Sequence, residues 1–205
     1  MYLSIKQFAR IAVINCMKNI ALITILFACS LQTLNAQLAD TTLYATRYAK
    51  TNRSHAIVLG SWGAVNLLGG TAWALGSTGQ TRQFNVMNAA WGGINLGIAS
   101  VMFIGLKKEN AKTYSLYDNI QRQAKLEKAL LFNTGLDAAY VMGGLAMNYY
   151  GQLPNAKNGQ RLQGFGNSIM VQGGFLFVQD LVFYLLHVNN RKRHQGGWQV
   201  LINGR

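Results

Sequence analysis

Two carboxylates, Asp137 and Asp180, and two carboxamides, Asn66 and Asn95, interrupt long apolar runs. Polar groups in such surroundings are costly unless they meet a partner. Two chemistries follow. Carboxylates brought close together share a proton more readily than both keep a charge, which suits proton or ion exchange. The same side chains also hydrogen-bond across helices and simply hold them, at about 0.6–2 kcal/mol per contact. Asp180, Tyr184 and His187 recur at helical spacing and fall on one face. With His55 they could be imagined around a metal, but the spacing matches no metal motif, so no metal is expected. No serine–histidine–aspartate order, cysteine–histidine pair, phosphate-binding loop or dinucleotide fingerprint occurs in the sequence. Enzymatic chemistry and a bound cofactor are therefore not expected.

The elements that must position these residues are apolar and long. The 205-residue chain is 50% hydrophobic and 12% charged, against about 25% charged in a soluble domain. Its 22 glycines and single proline argue against a disordered, linker-rich chain. Two cysteines exclude a disulfide scaffold or a cysteine-rich metal fold. Residues 56–76 and 83–106 carry no charge, 129–153 carry only Asp137, and 162–190 only Asp180. Each run can cross about 30 Å of hydrocarbon at about 1.5 Å per residue. The predicted fold is all-α: a bundle of four transmembrane helices at 56–77, 84–106, 128–150 and 164–188, built as two hairpins. Residues 78–83 and the proline-containing 151–161 read as turns. The 107–127 connection has helical spacing at Leu116, Ile120, Ala124, Glu127 and Leu131 and runs into the third span. A transmembrane β-barrel is the alternative, but its strands would alternate strictly over about ten residues, which these runs do not.

Helical rise sets depth. Measured from the span ends on the side of the termini, Asn66 and Asn95 lie about 15–16 Å in, and Asp137 and Asp180 about 12 Å. One polar side chain per helix is thus expected in a shared layer near mid-membrane. Asn66 and Asn95 also belong to an internal repeat, Ser61-Trp62-Gly63-Ala64-Val65-Asn66-Leu67 and Ala90-Trp91-Gly92-Gly93-Ile94-Asn95-Leu96, inverted in direction across the hairpin. Glycines in the spans, including Gly93 and Gly97 at GxxxG spacing, are expected at close helix contacts. Trp73 and Trp91 are expected in an interfacial aromatic belt.

The net charge is +13, from 19 Lys and Arg against 6 Asp and Glu. The basic residues lie between and beyond the apolar runs, as in loops flanking spans, so the expected partner is a bilayer and not nucleic acid. Anionic lipid on the basic loops and a homo-oligomer are further expected partners. Lys6, Arg10 and Lys18 precede an apolar stretch ending at Leu34-Asn35-Ala36, which reads as a signal peptide over 1–36 cut after Ala36. An uncleaved anchor, or a lipidated Cys29, are the alternatives. Residues 37–55 then form an interfacial segment, 56–190 the membrane domain, and 191–205 a basic tail that frays from residue 195. A cleaved signal peptide puts the basic side outside the cytoplasm, whereas the positive-inside rule puts it inside; the signal peptide is preferred here, and the expected location is a bacterial inner membrane.

The Trp62-Gly63 and Trp91-Gly92 segments with their asparagines, Leu136-Asp137-x-x-Tyr140, and the run from Gly164-Phe165-Gly166-Asn167 through Gln172-Gly173-Gly174-Phe175-Leu176 to Asp180 resemble an uncharacterised family of small four-helix membrane proteins from Bacteroidota. The Asn35-Ala36-Gln37 junction is similar to signal-peptide ends common there. The resemblance covers about residues 55–190 and implies a membrane location and a shared core, with no activity. The expected function is binding or passing an ion, proton or small solute at the polar layer of Asn66, Asn95, Asp137 and Asp180, supported by Trp62, Trp91, Tyr140, Gln172, Tyr184 and His187. The alternative is a structural or assembly subunit in which that layer only locks helices and the basic face binds lipid or a partner.

Overall fold

The computed structural model describes residues 42–110 and 114–203. The chain divides into two units, Met1–Leu43 and Tyr44–Arg205. The signal peptide, Cys29 and the cut after Ala36 lie outside the described residues. Among those residues the protein is all-helical, with four helices and no strand: α1 at 42–76, α2 at Gly79–Asn110, α3 at Leu116–Gln152 and α4 at Gly159–Asn203. The described part of the 37–55 segment, read above as interfacial, is helical and continues directly into α1, and α4 runs on to Asn203 instead of fraying at 195.

Local chemistry sets the helix ends. Ser115 caps α3: its hydroxyl accepts the Asp118 N–H at 3.1 Å and donates to the Asp118 carboxylate at 2.6 Å, satisfying one of the first turn's free amides. Only residues 77–78 separate α1 from α2, and the tight turn is possible because Gly79 adopts φ +58° at no steric cost. The 107–127 connection is largely consumed by the end of α2 and the start of α3, as its helical spacing implied.

α4 packs along both α3 and α2. The buried positions of α1, which include Tyr48, Asn52, His55, Leu59, Gly63 and Asn66, recur every three or four residues and form one stripe. The character of the two faces is inverted relative to a soluble protein. Asn66, Asn95, Asp137, Ser168, Gln172 and His187 are buried, while Val65, Leu68, Leu75, Phe132 and Met142 are exposed by 65–86%. α2 and α4 are each long and apolar enough to cross a membrane, and only 17% and 28% of their apolar stretches are buried, the opposite of a soluble core helix. In α1 and α3 the corresponding stretches are diluted by Asn66 and by Asn133, Thr134 and Asp137.

Glycines let the backbones approach, but not the ones the spacing singled out. Gly93 and Gly97 face open space. The contact is one residue away: a Cβ on Gly63 would lie 2.9 Å from the Gly92 carbonyl oxygen, and one on Gly92 would lie 2.7 Å from that of Gly63. Gly144 and Gly166 face each other in the same way across α3 and α4, at 2.6 and 2.5 Å. Gly92→Ala should therefore destabilise the bundle by about 1–3 kcal/mol, the cost of overpacking. Gly93→Ala should be neutral or stabilising by up to about 1 kcal/mol, since the helix gains propensity. Unfolding midpoints of the two variants in detergent check this, and equal shifts would contradict the assigned contact.

Candidate functional site

Gln172 is fully buried and stands at the centre of the first polar cluster. Its Nε2 donates to Asn66 Oδ1 at 2.8 Å and to Asn88 Oδ1 at 2.9 Å. Its Oε1 accepts from Trp62 Nε1 at 2.7 Å and from Asn95 Nδ2 at 3.5 Å. Ser168, one turn earlier on α4, donates to Asn88 Oδ1 at 2.7 Å. The Trp62 ring stacks on Phe175 with centroids 3.9 Å apart. Three helices thus converge on one carboxamide, and both of its polar atoms are used.

The second cluster lies toward the basic end, where α1 begins, α2 and α3 are joined, and the long α4 carries Arg191. His55 Nε2 is 3.3 Å from Asp180 Oδ1, with side chains 7% and 10% exposed. Phe183 stacks on the His55 ring at 4.4 Å. His187 is fully buried with its ring edge-on to Tyr48. His55 Nδ1, both ring nitrogens of His187 and Asn52 Oδ1 are buried with no hydrogen-bond partner among the described residues.

A third cluster closes the basic end. Arg191 Nε donates to both carboxylate oxygens of Glu127 at 3.1 Å, with Nη2 a further 3.0 Å contact. Gln123 donates to Glu127 at 3.2 Å and to the His187 carbonyl, and accepts from Asn190 at 3.2 Å. Arg122 pairs with Glu109 at 2.5 Å and lies over the Tyr114 ring at 3.8 Å.

The four layer residues do not share one depth. Gly173 lies against the Asp137 carbonyl, so Asp137 stands level with Gln172, Asn66 and Asn95. Asp180 lies seven residues further along α4, about 10 Å toward the basic end, and pairs with His55 instead. The depth arithmetic placed it too deep because the two span ends used as references, Ala129 and Val188, are not level: Gln123, six residues before Ala129, already bonds to the His187 carbonyl. Asp137 is 4% exposed, and its Oδ2 has no hydrogen-bond partner among the described residues. Trp91, expected in an interfacial belt, sits beside the Gln172 level with its ring edge-on to Tyr140 at 5.2 Å and its Nε1 buried; Trp73 is 70% exposed. Tyr184 is only half-buried. Asn88 and Ser168 were missed, although Asn88 and Asn95 lie two turns apart on one helix face, and Ser168 and Gln172 one turn apart.

Gln172→Leu leaves Trp62 Nε1, Asn66 Oδ1 and Asn95 Nδ2 without their Gln172 partner, at about 1–3 kcal/mol each, while Asn88 keeps Ser168. It should lower stability by at least about 3 kcal/mol in denaturant unfolding, far more than Asp180→Asn, which keeps its shape. At the basic end, burial first and the Glu127 charge second push the Tyr44 hydroxyl up to about 12 from an ordinary 10. The folded state therefore favours the neutral phenol, and that stability is present below pH 10 and lost as the pH rises toward 12. Phenolate absorbance of the folded protein should show a late-titrating tyrosine that Tyr44→Phe removes.

The family described as a family of unknown function, DUF6992, matches residues 58–181. No curated protein and no solved structure matches the chain. The matched segment holds the Gln172 network, Asp137 and Asp180, and covers more than half of the sequence, so the chain belongs to the DUF6992 family.

Proposed function

We propose that this chain is an integral membrane protein whose four helices are four spans, and that its interior takes up and releases a proton at the His55–Asp180 pair. The observation that carries this reading is a buried imidazole–carboxylate pair at 3.3 Å inside a bundle whose outer face is apolar. A lone carboxylate at that depth is expensive, and a proton shared with an imidazole neutralises it. One ring nitrogen facing one carboxylate oxygen is the geometry of a shared proton. Asp137 and His187 offer further titratable groups, while Asn66 and Asn95 are committed to Gln172 and act as helix locks.

A second reading, a structural or assembly subunit at an anionic lipid surface, draws on the exposed Arg47, Lys50, Lys107, Lys108, Lys125 and Lys192 at one end. Infrared difference spectra of proteoliposomes across a pH step separate the two. Proton exchange predicts a carboxyl band that Asp180→Asn removes and His55→Gln shifts, with unfolding midpoints close to the parent. No carboxyl band, together with midpoints lowered by several degrees in both variants, would favour the structural reading.

A further inference from the structure

Apart from Asp137 at the Gln172 level, the titratable groups of the described interior lie in one half of it. From the His55–Asp180 pair toward the basic end follow His187 and then Glu127 with Arg191, whose side chain is 31% exposed. The unpartnered atoms of Asn52, His55 and His187 lie along the same course, and buried polar atoms of this kind are what bridging water satisfies. In the opposite direction, toward the α1–α2 and α3–α4 turns, the side chains change character. Gln172, Asn66, Asn88, Asn95 and Ser168 bond to one another, and beyond them Asn148 donates to Asn167 at 2.7 Å. A carboxamide has fixed donor and acceptor atoms and cannot accept a proton on one side and release another on the other, as imidazole does.

We infer that the interior is a half-channel: water and protons reach the His55–Asp180 pair from the basic end only, and the Gln172 network is the barrier toward the turn end. This rests on the reading of the pair as a proton site. The groups around the pair agree with it. α1 contributes Tyr48, α3 contributes Glu127 and, at the barrier itself, Asp137, and α4 contributes His187 and Arg191. α2 contributes only the amides Asn88 and Asn95 among its described buried polar side chains. A site open to one compartment equilibrates with that compartment's pH and conducts nothing across the barrier.

The test is cysteine accessibility in the full chain with Cys16 and Cys29 replaced, using a membrane-impermeant methanethiosulfonate cation on whole cells and on inverted vesicles. Lys192→Cys, exposed at the basic end, identifies which face is which. His187→Cys should react at least tenfold faster from the face that labels Lys192→Cys, and Ser168→Cys should react from neither. Asn52→Cys gives the same readout should His187→Cys fail to fold. Reaction of Ser168→Cys from the turn end, equal reaction of His187→Cys from both faces, or no reaction of His187→Cys and Asn52→Cys from either face would each overturn the half-channel. The infrared carboxyl band is read independently. Its absence sinks the proton site, whereas its presence with a reactive Ser168→Cys sinks only the one-sided access.

Discussion

A single buried carboxamide fixes how three helices face one another. Gln172 presents two donor hydrogens and one acceptor oxygen, and the bundle supplies acceptors from Asn66 and Asn88 and donors from Trp62 and Asn95. Each bond adds only about 1 kcal/mol net, but the pattern of donors and acceptors is directional. Turning α1 or α2 by one residue, about 100°, would carry its partners off the interior face and leave them unpaired. The network therefore selects rotation and register, which an apolar seam of the same area would specify far less sharply.

That selection depends on how near the backbones come. Asn and Ser side chains are short and reach across an interface only where nothing larger holds the helices apart. The facing pairs Gly63–Gly92 and Gly144–Gly166 provide that proximity, one beside the amide network and the other on the α3–α4 seam. Close packing of small residues and internal hydrogen bonding hold a bundle whose large apolar side chains are mostly turned outward. The two devices support each other: the glycines bring the amides into reach, and the amides prevent the glycine seams from sliding.

Much of this was legible in the sequence. Uncharged runs of span length gave four helices, short polar connections gave two hairpins, and the helical spacing after residue 107 anticipated the long α3. Helical rise sets Asn66, Asn95 and Asp137 near one level. It cannot set the spans against one another: Asp180 is measured from Val188 and Asp137 from Ala129, and those two ends are not level, since Gln123 already stands opposite His187. Phase was harder to read than depth. Gly92, Gly93 and Gly97 are equivalent as letters, and only the direction in which α1 lies picks Gly92. The central role of Gln172 could not be ranked from sequence, since an amide in an apolar run looks the same whether it has one partner or four. His55 was visible, but its partnership with Asp180 depends on α1 and α4 lying side by side.

The two-residue connection between α1 and α2 bears on how the protein is made. The first hairpin contains Trp62, Asn66, Asn88 and Asn95, all of the side-chain partners that converge on Gln172, and it leaves the ribosome well before that residue is synthesised. Until α4 arrives, the nascent hairpin carries polar side chains with no amide between them, and those groups need other hydrogen-bonding partners. Arrival of α4 removes that need in one step. A chain that stops before α4 therefore leaves unpaired the same side chains that lock the finished protein.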